Sequence, residues 1–223
     1  MSLRINDTAP NFTAQTTEGL LSFHEWIGDG YAVLFSHPKD FTPVCTTELG
    51  EVARLKDEFA QRNTKVIGLS VDAVEDHLLW KSDIAAATGS EVNYPLIGDP
   101  ELKIAQLYGM LPASEEGDAG NRTAKDNATV RTVFVIGPDK KIKLNLTYPM
   151  TTGRNFDEIL RVIDSIQITA RAPLATPAGW RVGDDLVVSP ALTTEEAEAR
   201  FGEIKQVLPY LRFTSGASAS TQA

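Results

Sequence analysis

The sequence passes from a short apolar run to a cysteine as Tyr31-Ala32-Val33-Leu34-Phe35-Ser36-His37-Pro38-Lys39-Asp40-Phe41-Thr42-Pro43-Val44-Cys45. Aliphatic and aromatic residues dominate its first part, which is typical of a buried strand. Thr42 suits the N-cap of a helix and Pro43 suits its first position. A strand is therefore expected to lead through a turn into a helix that begins just before Cys45.

The predicted helix covers residues 42 to 62 and is amphipathic, because Cys45, Leu49, Val52 and Phe59 recur at helical spacing. Unpaired amides and the dipole at a helix N-terminus stabilise an anion, so this position favours thiolate over thiol. The chain holds one cysteine, which excludes an internal disulfide and a cysteine-based zinc site. An inert, buried cysteine is the alternative interpretation.

Apolar runs alternate with helical patterns along the chain, which is typical of an α/β fold with a largely parallel sheet. Strands are predicted at 31–36, 64–71 and 130–136, and helices at 74–88, 101–109 and 155–170. The turn sequence Gly137-Pro138-Asp139-Lys140 predicts an antiparallel hairpin with a strand at 141–147. The sheet is therefore expected to be mixed and flanked by helices.

Proline and glycine become frequent after residue 171, which predicts a domain of residues 1–171 followed by an arm of residues 172–213. The arm, with a predicted helix at 193–202, is near the lower size limit for an independent core, so it should pack on the main domain or on a second subunit. Residues 214–223 lack large apolar side chains and are expected to be disordered. Residues 112–128 are expected to form a long flexible loop.

Charge and hydropathy exclude several function classes. A net charge of −9 argues against general binding to nucleic acid or anionic lipid. No apolar run approaches the roughly 20 residues that span a bilayer, so an integral membrane protein is not expected. The first residues lack the pattern of a secretory signal, and we expect a cytoplasmic protein.

The spacing of Pro38, Thr42 and Cys45 resembles the Pro-x-x-x-Thr-x-x-Cys motif of the peroxiredoxins. The wider stretch from Phe35 to Gly50, and a second one from Thr151 to Leu160, are similar to the one-cysteine branch of that family, the peroxiredoxin-6 type. The resemblance implies a thioredoxin-like α/β fold with a small C-terminal α+β extension. It also implies a thiol-dependent peroxidase that reduces hydrogen peroxide and organic hydroperoxides without a metal or other cofactor.

The resemblance assigns roles residue by residue. Cys45 would be the nucleophile that becomes a sulfenic acid, and Arg131 would stabilise its thiolate and bind the peroxide oxygens. Thr42 would hydrogen-bond the peroxide, and Pro38 would shield the thiolate from water. Supporting roles fall to Glu48, which would orient Arg131, and to Arg154 and His37. An external thiol or other reductant would restore Cys45, and the protein would be a homodimer, with a higher assembly of dimers left open.

Three other functions are alternatives for this sequence. Phospholipid hydrolysis occurs in some relatives through a Gly-Asp-Ser-Trp segment, but this chain has Gly28-Asp29-Gly30-Tyr31, in which Gly30 replaces the serine. His24 and Asp139 match the other proposed hydrolase residues and have simple structural explanations. A peroxide sensor or holdase-like interaction protein on the same fold needs the same thiolate and stays open. A disulfide reductase is disfavoured because no Cys-x-x-Cys pair exists.

Overall fold

The computed structural model describes residues 3–112 and 128–216, and its contacts divide the chain into two units after Phe156. The first unit contains the strands and helices β1 (Thr13–Thr16), β2 (Gly19–Ser22), α1 (Phe23–Ile27), β3 (Tyr31–Ser36), α2 (Pro43–Arg54), α3 (Lys56–Gln61), β4 (Thr64–Ser70), α4 (Val74–Thr88), β5 (Leu96–Gly98), α5 (Lys103–Leu107), β6 (Arg131–Ile136) and β7 (Ile142–Tyr148). The second comprises α6 (Phe156–Arg171), whose first residue closes the first unit, β8 (Leu174–Ala175), β9 (Leu186–Val188), α7 (Thr194–Phe201), β10 (Ile204–Leu208) and β11 (Leu211–Thr214).

A mixed seven-stranded sheet, in the order β2-β1-β5-β4-β3-β6-β7, organises the first unit. The neighbours β3, β4 and β5 are parallel, whereas β6 runs antiparallel to β3 and β7 antiparallel to β6. The thioredoxin-like α/β prediction is confirmed. The strands predicted at 31–36, 64–71 and 130–136 correspond to β3, β4 and β6, and the Gly137–Lys140 turn joins β6 to β7 as expected.

Strands β3 and β6 are neighbours in the interior of this sheet, and both are deeply buried. Every residue of β6 is buried, and so is every residue of β3 after Tyr31. One face packs in an apolar cluster that includes Leu34, Phe134 and Tyr108. Strands with both faces covered read as continuous apolar runs, which is the pattern that predicted them.

The helix that contains Cys45 differs from its prediction. The structure has two helices, α2 and α3, separated at Leu55, where φ is −88° and ψ is 8°. Backbone hydrogen bonds continue across the break from Leu55 to Glu51 and from Phe59 to Leu55. No glycine or proline signals this break. The inward stripe of Cys45, Leu49, Val52 and Phe59 is nevertheless buried throughout.

Short elements escaped the sequence analysis. The strands β1, β2 and β5 have three or four residues each, too few for a pattern of alternation to emerge. The helix predicted at 101–109 is shorter, as α5, whereas α4 has the predicted bounds. The loop expected at 112–128 lies almost wholly outside the described residues. Within the described parts of the chain, no helix has the length and apolar character to cross a membrane.

The second unit contains an antiparallel four-stranded sheet in the order β10-β11-β9-β8. Its small core is apolar and consists of Leu174, Trp180, Leu186, Val188, Ala197 and Phe201. The expected α+β extension is therefore present. The helix predicted at 193–202 is α7, and Thr193 and Glu196 form a capping box at its start.

The division of the chain falls earlier than the predicted boundary at residue 172. Helix α6 groups with the C-terminal segment because Ile168 packs against its core, Ser165 shares a hydrogen bond with Thr176, and Arg161 donates to the Trp180 carbonyl. Thr214 is a buried residue of β11, so the tail cannot begin there. Residues 217–223 lie outside the described chain.

Gly50 lets α2 and α4 approach each other, and its replacement tests this packing. A Cβ at Gly50 would lie 2.6 Å from Thr88 Cβ, a β-branched residue that cannot turn away. We expect Gly50→Ala to lower the free energy of unfolding by about 1–3 kcal/mol despite alanine's higher helix propensity. The matched control is Gly153→Ala, whose Cβ would meet Val44 at 3.6 Å, an ordinary contact. Urea denaturation that ranked the control as the less stable variant would contradict this account.

Candidate active site

Cys45 is the third residue of α2 and is completely buried as a free thiol. Thr42 precedes the helix in an extended conformation, and Pro43 occupies the first helical position, as the sequence predicted. The capping prediction is wrong for the side chain of Thr42, because its hydroxyl donates to the Lys39 carbonyl at 2.8 Å instead of accepting from the helix. The free amides at the N-terminus of α2, near Cys45, are therefore not bonded by the side chain of the N-cap residue.

Arg131, the first residue of β6, lies beside the thiol. Its Nη1 is 3.4 Å from Cys45 Sγ and 2.5 Å from Glu48 Oε2, and its Nε donates to the Met150 carbonyl at 2.8 Å. Only 3% of Arg131 is exposed. The antiparallel pairing of β6 with β3 brings this guanidinium to the end of the sheet where the chain enters α2.

A second buried guanidinium shares the same carboxylate. Arg154 donates from Nε to Glu48 Oε1 at 2.9 Å and from Nη2 to Oε2 at 2.8 Å. Its Nη1 donates to the carbonyls of Ser36 and Thr132, and its guanidinium lies over the ring of Phe35 at 4.9 Å. Glu48, Arg131 and Arg154 thus join α2, β6 and the segment before α6 in one network.

The charges of this network favour an anion at the sulfur. Burial alone would raise the pKa of Glu48, but the hydrogen bonds and charge of Arg154, with the charge of Arg131, hold that pKa below its usual range. In the described part of the chain, two guanidiniums therefore face one ionised carboxylate. A Cys45 thiolate would neutralise the remaining positive charge.

The predicted residues Pro38 and His37 lie in the connection between β3 and α2, where both are buried. His37 has no hydrogen bond to the network of Glu48 and the two arginines. Its Nε2 is 2.7 Å from Asp40 Oδ1, and Asp40 Oδ2 is 2.5 Å from Nδ1 of His77. His37 Nδ1 is buried and has no hydrogen-bond partner among the described residues.

Sequence reasoning missed Asp40 and His77 as members of this buried cluster. The spacing of His77 with Trp80 and Ile84 places all three on the inward face of α4, and this was the available signal. Burial would raise the pKa of Asp40, but hydrogen bonds from His37 and His77 lower it to about 2. The donor atoms would also suit a metal ion, but they are at hydrogen-bonding distance from one another.

Phe41 follows Asp40 in the chain, on the way to Cys45. Its backbone has a left-handed φ of 54°, which is uncommon for a residue other than glycine. Its side chain is 54% exposed, and its ring lies 5.9 Å from that of Trp80. Its neighbour Asp40 is fixed by hydrogen bonds, including one from its own amide to Asp72 at 2.9 Å. The segment between Asp40 and Cys45 is therefore firmly held at one end and conformationally strained next to it.

The residues considered for phospholipid hydrolysis are engaged elsewhere. His24 Nε2 is 2.8 Å from the Ala9 carbonyl, and the Asp139 carboxylate is paired with Lys143. A Cβ at Gly30 would lie 2.7 Å from the Asn63 carbonyl oxygen, which leaves no room for a side chain in the present backbone. The structure thus supplies neither a serine nor space for one at this position.

Two family models match the chain. The model of the AhpC/TSA family matches residues 5–145, and that of the C-terminal domain of 1-Cys peroxiredoxin matches residues 165–203. Peroxiredoxin-6 of Homo sapiens is 50% identical over 222 residues, covering 95% of this chain and 97% of that protein. Peroxiredoxin PRX1, mitochondrial, of Saccharomyces cerevisiae is 49% identical over 213 residues, with 95% and 80% covered.

Solved structures agree with this result. The crystal structure of a cysteine-to-serine mutant of peroxiredoxin 6 of Arenicola marina matches with a TM-score of 0.88 and 44% identity, covering 96% of this chain and 99% of that one. A yeast mitochondrial 1-Cys peroxiredoxin, studied for thiol resolution via glutathione/thioredoxin systems, matches with a TM-score of 0.86 and 49% identity over the same shares.

The shared carboxylate makes Glu48→Gln a strong test of the network. Removing its charge deprives two buried guanidiniums of the carboxylate they share, and we expect the free energy of unfolding to fall by about 3 kcal/mol. Glu51→Gln is the matched control on the same helix, because Glu51 pairs with Arg54 at the surface and should cost less than about 1 kcal/mol. Equal losses in urea denaturation would refute a special role for Glu48.

The wild type and Glu48→Gln together also test how the contribution of Glu48 to stability depends on pH. Because the pKa of Glu48 is lower in the folded state, its contribution is complete above the unfolded value of about 4.3 and is lost as the pH falls through the folded value. The stability difference between the wild type and Glu48→Gln should therefore shrink below about pH 4. A difference that stayed constant there would contradict the pKa shift.

Proposed function

The chain belongs to the AhpC/TSA family as a one-cysteine peroxiredoxin, a thiol-dependent peroxidase, and from this we propose that Cys45 is its nucleophile. The observation that carries the proposal is the 3.4 Å approach of Arg131 Nη1 to the buried sulfur of the single cysteine. The excess positive charge around Glu48 supports the thiolate form. Both features lie at the start of α2, where the helix end favours an anion.

In the proposed reaction, a sulfur lone pair of the Cys45 thiolate attacks the terminal oxygen of a hydroperoxide. The S–O bond forms while the O–O bond breaks, and the departing oxygen takes a proton from water to leave as water or an alcohol. Sulfur loses two electrons and becomes a sulfenic acid. N–H groups of Arg131 would stabilise the charge that develops on the oxygens.

The remaining predicted site residues have supporting roles in this proposal. The Thr42 hydroxyl donates to the Lys39 carbonyl in this structure, so donation to a peroxide oxygen would require its proton to turn away from Lys39. Pro38 would keep water from the thiolate, and Glu48 and Arg154 would hold Arg131 in place. His37 would lie at the pocket and accept a hydrogen bond through its unpartnered Nδ1.

An external reductant would complete the cycle, because the chain has no second cysteine to attack the sulfenic acid. A thiolate would attack the oxidised sulfur, release water and form a mixed disulfide that a second thiol then reduces. We propose a thiol of the glutathione or thioredoxin type, which the yeast relative's structure names. Cys45 is fully buried, so the first turn of α2 must open to admit such a thiol.

The dependence on a thiol pool supports the cytoplasm as the compartment, although the yeast relative is mitochondrial. A peroxide sensor or holdase-like protein is not favoured. Rapid consumption of peroxide with cycling on an added thiol is the behaviour expected of the enzyme, whereas a single slow oxidation would identify a sensor.

We also propose a homodimer that forms through the edge of the large sheet. Strand β7 has seven residues and is an edge strand; within the described chain its outer side bonds to Asn6 and Asp7 at Ile142 and is otherwise open. Long open edges readily pair with another copy. The C-terminal arm is proposed to contribute contacts to the partner subunit. A higher assembly built from such dimers would use other surfaces.

Replacement of Arg131 tests the proposed chemistry. We expect Arg131→Gln to slow the oxidation of Cys45 by hydrogen peroxide by on the order of 10²-fold, because a donor to the thiolate and the peroxide is lost. Stopped-flow mixing followed by mass spectrometry of Cys45 measures this rate. Arg54→Gln is the control. It changes an exposed arginine of α2, the helix that contains Cys45, and should react like the wild type. Cys45→Ser should have no turnover, and residual peroxidase activity in it would overturn the assignment of the nucleophile.

The two edges of the sheet supply a matched test of assembly. Leu146→Glu places a charge on β7 and should convert a dimer to a monomer in sedimentation equilibrium. Leu20→Glu places the same charge on β2, the opposite edge strand, and should leave the dimer intact. A monomeric wild type, or dissociation only by Leu20→Glu, would refute an interface at β7.

A further inference from the structure

A chain of hydrogen bonds connects three buried side chains next to the active-site helix. The Ile97 carbonyl is 3.0 Å from Nε2 of His77, whose Nδ1 is 2.5 Å from Asp40 Oδ2, and Asp40 Oδ1 is 2.7 Å from Nε2 of His37. Both histidines are 0% exposed and Asp40 is 2% exposed. Nothing in the proposed reaction requires His77 or Asp40, so this cluster needs an explanation of its own.

The positions of the protons follow from the partners. A carbonyl oxygen can only accept, so His77 must carry a proton on Nε2. Asp40 is ionised near neutral pH, because its pKa is about 2, and its two oxygens accept from the two histidines. His77 therefore carries protons on both nitrogens as an imidazolium. His37 donates from Nε2, and its neutral form has a bare lone pair on Nδ1.

The surrounding charges agree with this distribution. For His77, the bonds and charge of Asp40, the Ile97 carbonyl and the charge of Asp72 outweigh burial and raise its pKa. For His37, burial dominates and, with the nearby charge of His77, lowers its pKa against the influence of Asp40 and Asp72. Asp72 itself accepts from the Asp40 amide and from Ser70 Oγ. These influences favour the charged form of His77 and the neutral form of His37.

We propose that Asp40 and His77 are positioning residues that keep His37 neutral, with its proton on Nε2 and its Nδ1 free to accept a hydrogen bond. This inference rests on the proposed role of His37 in the peroxide pocket. The O–H of the terminal peroxide oxygen stays on that oxygen when it becomes the sulfenic acid, so its partner must be an acceptor throughout. A charged His37, or one protonated on Nδ1, would offer a donor instead.

In the wild type, the carboxylate of Asp40 interacts with both His37 and the His77 imidazolium. Without the imidazolium, the whole carboxylate charge acts on His37 and favours its protonation. His37 would then become cationic at a higher pH than in the wild type and lose its acceptor. The rate of Cys45 oxidation would fall as the pH is lowered through this new titration, because only the neutral form of His37 is competent.

The experiment uses the reduced full-length protein with ¹⁵N-labelled histidine. The chain has three histidines, so single variants assign every ring signal, and His24→Asn serves as the control outside the cluster. In the wild type at neutral pH, we expect His37 to show a bare Nδ1 and a protonated Nε2, and His77 to show two protonated nitrogens. A protonated Nδ1 on His37, or a neutral His77, would overturn the proposal without any variant.

Two variants then test the link to the reaction. His77→Leu should make His37 titrate at higher pH. It should slow Cys45 oxidation by about 10-fold near pH 6, a loss of the size seen when residues that orient a functional histidine are removed. His77→Asn keeps a donor near the position of Nδ1 and should restore the bare Nδ1 of His37 and part of the rate. An unchanged rate profile in His77→Leu, with the expected ring signals, would refute the role in catalysis. Since the ring signals do not depend on turnover, they separate this failure from an error in assigning Cys45 as the nucleophile.

Discussion

The bidentate sharing of Glu48 between two buried guanidiniums is the interaction on which the rest of the site depends. A buried ion pair has no general stabilising value, since desolvation offsets much of the attraction. Its value here lies in position. The carboxylate belongs to the cysteine-bearing helix, Arg131 is the first residue of β6, and Arg154 also binds the carbonyls of Ser36 and Thr132 near the strand ends. The same bonds that fix the helix against the sheet therefore fix the charge around the sulfur.

The sequence could predict those parts of the fold in which burial alone determines the local pattern of apolar residues. Strands β3 and β6 are buried on both faces, so their apolar runs required no knowledge of neighbours. The break at Leu55 and the grouping of α6 with the C-terminal core depend on tertiary contacts that leave no local signal. Thr42 shows a subtler limit, because its hydroxyl donates to the Lys39 carbonyl rather than accepting from the helix, and that carbonyl is within reach only in the folded turn.

The site shows a similar division. Cys45 could be identified from its place in the chain, whereas the importance of Arg131 came from family resemblance, since an arginine at the start of a strand is usually a surface residue. The cluster of His37, Asp40 and His77 could not be assembled from sequence, because His37 and Asp40 lie between β3 and α2, whereas His77 belongs to α4 and approaches them only in the folded protein. Its position on the inward face of α4 was readable, but its partner was not.

The left-handed backbone at Phe41 has a consequence for exchange between closed and open forms of the active-site turn. A non-glycine residue in this region carries roughly 1–2 kcal/mol of conformational energy. That energy is released when the turn unwinds, so it lowers the cost of opening while the bonds of Asp40 confine the movement to residues after it. In the proposed cycle, the strain at Phe41 would therefore ease the access of a bulky reductant to the sulfur without loosening the sheet.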